Sequence, residues 1–308
     1  MDELKNVPYG AAGRVFCVKG YCPQIKGSMQ YYNKELQMKK TIAVLALLCI
    51  LALGIFAQTA PKGLTIRPGV LRIGIEIGYP PMEYFDADGK TPVGFDVELG
   101  KAIAERMGLK AEFVDTSWDR IFAGVDTGRY DCIISAVPIT PARLAALNFS
   151  KPYIQNTLAI VLPKGSRLNV HSPQDLAGLD IAYQEETTSD FFMEELAAEG
   201  LVFMPYKYDK VMHCFDEMRL GRVDAIVTDL LGAYEYISRA DSPFKIVWQG
   251  GEEQFGICMK KGNNALTMAI DEVLEEFFKD GTMLRISRNI FNGMDLVSRA
   301  RQSWYFSL

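Results

Sequence analysis

The sequence predicts an α/β protein of two similar lobes, each a mainly parallel sheet flanked by helices, and three observations carry that prediction. From Gly63 onward, short β-rich runs alternate with amphipathic helical runs, the pattern of strands joined by crossover helices. The unit GRYDCIIS at 128–135 returns as GRVDAIVT at 221–228, each closing an apolar helical face and opening a buried, β-branched run. Two extended stretches, 149–165 and 248–262, flank the later copy. They read as two crossover strands by which the chain leaves the first lobe, builds the second and returns.

The elements follow in order. VLRIGIEI at 70–77 reads as the first strand. Phe95, Leu99, Ala102, Ile103 and Met107 recur at helical spacing, with Gly108 as the C-terminal cap. AEFV is the next strand, and Trp118, Ile121, Phe122 and Val125 mark a second helix ending near Gly128. In the later half, DIAYQEETT at 180–188 takes the part that RIGIEIGY plays in the earlier. Ala265, Met268, Ala269, Val273 and Phe277, then DGTMLRI, give helices that should pack back on the first lobe. Lobe 1 is therefore expected at 64–157 and 251–308, and lobe 2 at 158–250.

Residues 38–60, MKKTIAVLALLCILALGIFAQTA, have the three-part order of a secretory signal peptide: lysines, an apolar run, small residues. The apolar run is shorter than the roughly 20 residues a helix needs to span a bilayer. This reading makes Met38 the true start, residues 1–37 a leader outside the fold, and the periplasm the destination. An uncleaved signal-anchor, which the two lysines also permit, is the alternative. Leu47 and Leu48 before Cys49 argue against a lipoprotein signal.

A chain of 308 residues with 49% hydrophobic and 23% charged residues has ordinary globular composition, which excludes disorder and collagen-like structure. The net charge of -5, with scattered lysines and arginines, leaves no footprint for nucleic acid. Cys132, Cys214 and Cys258 fall in the mature part; Cys132 and Cys258 sit in apolar runs and read as core residues, with one disulfide left open. His171 and His213 lack partners at metal-ligand spacing. No metal or cofactor is predicted.

Ligands of open parallel sheets bind beyond the carboxyl ends of the strands, which selects the loops 76–79, 135–143, 184–189 and 228–229. In SAVPITPAR, Thr140 reads as an N-cap, Pro141 as the first helical residue, and Arg143 as a cation in the first turn. A cation there opposes the helix dipole unless an anion joins it, so Arg143 reads as a carboxylate site or as a solvated surface arginine. Asp229 ends a buried run, where it reads equally as an acceptor for a ligand ammonium and as the N-cap of the following helix. Tyr79 and Trp118 are core aromatics or cleft walls that sandwich an organic side chain. No nucleophile–base pairing or phosphate-cradling loop is present, so no catalytic residue is predicted.

GFDVELGKAIAERMG, followed by WDRIFAGVDTGRYDCIISAVPITPARLAALNFSKPY, resembles the amino-acid class of periplasmic solute-binding proteins of ABC transporters, bacterial extracellular solute-binding protein family 3. The resemblance runs from about Leu71 to about Phe291. It implies a Venus-flytrap (periplasmic-binding-protein) fold in which Arg143 meets a ligand carboxylate. It further implies that Ser135, Ala136 and Pro138 assist through amides or hydroxyls, as does Thr188 from lobe 2. Asp229 would meet the ligand ammonium, Tyr79 and Trp118 would line the side-chain pocket, and Glu76 would contribute to side-chain choice. The partners implied are an amino acid or similar small carboxylate and the membrane subunits of an ABC importer, with the protein itself a monomer. Pro138 stands where a threonine or serine is common, and Glu186 where glycine is common; Glu185 and Glu186 would favour a cationic side chain. A dehydratase of the arogenate or prephenate type and a ligand-binding sensor domain are the alternatives on the same scaffold.

Overall fold

The computed structural model describes residues 37–40, 63–238 and 240–303. The chain falls into two compact units, 1–58 and 59–308. Within the first, residues 37–40 are helical; the rest of the leader and apolar run expected there lies outside the described residues. Among the described residues, no helix is long and apolar enough to cross a membrane.

The second unit holds both lobes. In the first sheet, β1 (Val70–Ile75) lies between β4 (Lys110–Asp115) and β5 (Cys132–Ile133), parallel to both. Beyond β5 come β12 (Cys258–Lys260) and β6 (Leu147–Phe149), paired antiparallel. A short hairpin of β2 (Tyr84–Phe85) and β3 (Pro92–Val93) leads into α1 (Phe95–Arg106), and α2 (Trp118–Asp126) precedes β5. Leu71, Ile73 and Ile75 are buried in one cluster with Leu99 and Ile103 of α1. Leu266, Ile270 and Phe277 of α7 (Asn264–Asp280) and Met283 of α8 (Thr282–Ile290) belong to the same cluster, and α7 lies against β6.

The second sheet has the order β11 (Phe244–Phe255), β7 (Ile154–Pro163), β10 (Ala225–Asp229), β8 (Asp180–Gln184) and β9 (Met204–Tyr208). It is covered by α4 (Thr188–Ala198), α5 (Val211–Arg219) and α6 (Leu230–Ile237). Each five-stranded sheet has two parallel and two antiparallel pairings. The sheets are therefore mixed rather than mainly parallel, because strands leading into or out of the crossings run against the βαβ strands. β7 and β11 pair from Phe244 opposite Pro163 to Phe255 opposite Ile154, so the two crossings form one antiparallel ribbon.

The internal repeat has a physical basis. Gly128 and Gly221 take φ of 73° and 68°, the left-handed conformation that ends a helix and that glycine adopts without strain. Three residues later, Asp131 accepts the Arg72 amide at 2.8 Å and donates its own amide to the Arg72 carbonyl at 2.9 Å. Asp224 does the same with Asp180, at 3.0 and 2.8 Å. Each aspartate thus pins the start of its strand to the neighbouring parallel strand, β1 for Asp131 and β8 for Asp224. The copies diverge afterwards: β10 keeps five residues while β5 keeps two. β1 also stops before the full run read from sequence, because the Glu76 and Ile77 amides donate to side chains, Ser135 Oγ and Asp115 Oδ1. Cys132, Cys214 and Cys258 are buried free thiols.

Candidate functional site

The loops after β1, β5, β8 and β10 converge on one small hollow of about 20 Å³ between the two sheets. Glu76, Tyr79, Trp118, Ser135, Ala136, Pro138, Thr188 and Asp229 line it. Arg143 lines an adjoining outer hollow that shares Pro138 and Thr188 with the inner one. Hydrogen bonds span the cleft: Trp118 Nε1 to the Glu186 carbonyl (3.0 Å), Gln184 Nε2 to Glu76 (3.0 and 3.1 Å), and Lys210 Nζ to the Ile77 carbonyl (2.7 Å). The two walls are in contact, as in a closed trap.

One wall is cationic. α3 (Pro141–Ala146) starts at Thr140, whose hydroxyl accepts the Arg143 amide at 3.2 Å. The Arg143 side chain returns towards the strand ends, where its guanidinium lies over the Trp118 and Phe122 rings at 5.3 and 5.1 Å. Nη1 donates to the Pro138 carbonyl at 3.1 Å. The residue is 9% exposed, and no described carboxylate makes an ion pair with it. Burial lowers its pKa, an effect that the nearby Glu253 and Asp229 charges offset only in part. An incoming carboxylate supplies the counter-ion. The Ala136 amide is committed to Asp96 Oδ2 at 2.6 Å, with Ala136 at φ 46°, and the Ser135 hydroxyl donates to Glu83 at 2.6 Å. Pro138, lacking an amide hydrogen, offers only its carbonyl, and that carbonyl orients Arg143.

The inner hollow is acidic. Glu76, 5% exposed, is held by the Gln184 amide, and burial pushes its carboxyl up to about 7 against the smaller pull of Gln184 and Lys210. Asp229 occupies the N-cap position of α6, but its carboxylate caps nothing. It accepts from Tyr79 Oη at 2.5 Å and Asn156 Nδ2 at 2.9 Å, and burial raises its pKa. Asp229 lines the hollow and does not act as the side-chain cap of α6.

Tyr79 reaches Asp229 across the cleft only because residue 232 has no side chain. A Cβ there would stand 2.5 Å from the Tyr79 hydroxyl and 2.7 Å from its ring. Gly232→Ala should therefore keep the fold but push Tyr79 off Asp229 and block closure. Ligand affinity measured by calorimetry is expected to fall about 5- to 150-fold, an overpacking cost of roughly 1–3 kcal/mol, while unfolding of the empty protein moves little.

Further polar residues join the site. Glu83, Gln184 and Thr187 line the inner hollow, and Glu253 lines the outer one. Behind Glu83 lies Asp96, fully buried and taking the Tyr153 hydroxyl at 3.0 Å. Burial raises Glu83 and pushes Asp96 to about 7, as befits two buried carboxyls in contact that cannot both ionise. A polar residue inside an apolar extended run, such as Asn156 in IQNTLAIV, is the signal that would have found part of this set. The side chains of Glu185 and Glu186 are exposed instead. Glu186 takes φ 58°, which explains why glycine suits that position, and it contributes only backbone: its carbonyl receives Trp118. His213 pairs with Asp209 at the surface, and no group of three metal-ligating side chains occurs among the described residues.

The sequence profile of the bacterial extracellular solute-binding proteins, family 3, matches residues 71–293. The chain is 27% identical over 251 residues to the L-cystine-binding protein TcyJ of Escherichia coli (strain K12), covering 81% of this chain and 93% of the relative. It is 31% identical to a probable amino-acid ABC transporter-binding protein of Haemophilus influenzae, covering 73% and 86%. Among solved structures, an ancestral arginine-binding protein bound to arginine is similar at a TM-score of 0.68 and 37% identity, covering 72% of this chain and 98% of that one.

Proposed function

This chain belongs to the bacterial extracellular solute-binding proteins of family 3, and from that premise we propose that its cleft captures an L-α-amino acid with a cationic side chain, arginine in the first instance. It is an amino-acid-binding protein of the ABC-importer class, and its named relatives are binding proteins rather than enzymes. The observation that carries the choice of solute is Glu76. A carboxyl group that is 5% exposed and faces the hollow is bonded by the Gln184 amide and the Trp118 backbone and drawn more weakly by Lys210, yet makes no ion pair among the described residues. A guanidinium or ammonium at the end of a ligand side chain supplies the counter-charge through a charge-assisted, two-pronged contact. Arg143 then holds the α-carboxylate, Asp229 the α-ammonium, and Tyr79 and Trp118 the aliphatic stem.

Lobe 1 at 64–157 with 251–308 and lobe 2 at 158–250 turn about the β7–β11 ribbon. A ligand touching both walls favours the closed form by its differential affinity for it, and importer subunits read closure. We take the working form as a periplasmic monomer freed from the 38–60 leader.

Calorimetry of the mature protein against arginine, lysine, histidine, cystine, glutamine and glutamate tests the proposal. Arginine is expected to bind most tightly. Preference for cystine, glutamine or glutamate would overturn the assignment of a cationic side chain.

A further inference from the structure

Asp229 does not meet the cleft alone. Asn156 on β7 donates one side-chain nitrogen to two carboxyls at once, Asp229 Oδ1 and Glu253 Oε2, both at 2.9 Å. The carboxyls are themselves in hydrogen-bond contact, and Thr188 at the start of α4 bonds to Glu253 from the other side. Glu253 stands on β11, the returning crossover strand, and lines the outer hollow together with Arg143. That hollow therefore holds, within one cleft, a buried guanidinium without a carboxylate partner and a carboxyl shared with the ammonium-facing aspartate. These are the two ends that an α-amino acid requires.

We propose that Glu253 is a second carboxyl of the α-ammonium subsite, sharing one proton with Asp229 across the Asn156 amide and surrendering it when a ligand ammonium enters. The inference rests on the amino-acid reading above and deepens it. An α-ammonium has three N–H donors, and Tyr79 already occupies one oxygen of Asp229. A second acid gives the ammonium another acceptor. Proton balance follows from charge. Two half-buried carboxyls in contact hold a proton between them, and desolvation with the neighbouring Asp229 charge pushes Glu253 up to about 8. A cation placed between them favours ionisation of both, and the proton passes to solvent.

The groups facing the pair are Tyr79 from the loop after β1, Arg143 from α3, Asn156 from β7 and Thr188 from α4. Tyr79 remains protonated, since burial beside Asp229 raises its pKa well above the ordinary phenol value. Glu76 also changes protonation when a cationic side chain binds, so the test must cancel it.

The experiment compares arginine with its 2-hydroxy analogue, which keeps the guanidinium and the carboxylate but replaces the α-ammonium by a hydroxyl. Titration calorimetry near pH 7.5, in buffers of different ionisation heat, reads the protons released. The wild-type protein is expected to release about one proton more with arginine than with the hydroxy analogue. Glu253→Gln is expected to bind arginine still and to lose that difference. Equal release with the two ligands in the wild-type protein overturns the inference without recourse to a variant, and so does an undiminished difference in Glu253→Gln. Failure of the wild-type protein to bind any amino acid overturns the solute reading and the inference with it, a result distinct from binding without proton release.

Discussion

Arg143→Ala is expected to lower arginine affinity about a thousandfold, since truncating one partner of a buried, hydrogen-bonded charge pair costs roughly 2–5 kcal/mol. Arg143 is 9% exposed, held in place by the Pro138 carbonyl and two aromatic rings, and without an ionic partner among the described carboxylates. Its rigid fork matches a carboxylate in both shape and charge, which a lysine would not reproduce. The same burial predicts a second outcome. In the empty protein the guanidinium has lost water and is compensated only in part by the Glu253 and Asp229 charges, so its removal should leave thermal unfolding close to the wild-type value despite the lost ring contacts. Calorimetry and thermal unfolding of the same variant separate the two effects. Retained affinity would move the carboxylate site elsewhere.

Glu76→Gln is expected to reverse the preference among side chains. The amide keeps the volume and a contact to Gln184 but removes the charge, so arginine should weaken about a hundredfold, the scale of a charge-assisted hydrogen bond of roughly 1.5–3 kcal/mol. Neutral glutamine should gain relative to arginine. The pH dependence has a definite sign. With the empty-site carboxyl at about 7, acidification below that point neutralises Glu76 before a cation can use it, and wild-type affinity for arginine falls. The folded-state value lies above the ordinary 4.5, so the empty protein binds this proton more tightly than the unfolded chain. The stability this group contributes is present at acid pH and is lost as pH rises towards about 7; bound arginine, favouring the ionised carboxylate, counters that loss. In Glu76→Gln this component of both profiles should vanish.

Much of the scaffold was legible because local chemistry and tertiary role coincide. The GRxD units repeat in sequence because Asp131 and Asp224 make the same backbone contacts to the neighbouring parallel strands. The strand-end rule selected the four loops that meet at the hollow, and Thr140-Pro141 signalled the start of α3. The buried acids were harder to read. Asp96 looks like an ordinary first-turn acid and Glu253 one of a solvated EEQ run; Glu83 and Tyr153 from distant segments enclose the first, and Asn156 and Asp229 leave the second half-buried. Conversely, Glu185 and Glu186 look available to the ligand, but the left-handed turn at Glu186 leaves both side chains outside. Acid identity is local information, whereas acid burial depends on contacts between segments far apart in the chain.

Arginine and citrulline have nearly the same shape, and only arginine carries a charge at the side-chain end. Side-by-side calorimetric titration of the wild-type protein at pH 8, where Glu76 is largely ionised, tests whether the hollow selects charge. Arginine is expected to bind about a hundredfold more tightly than citrulline. Equal affinity for the two would contradict it.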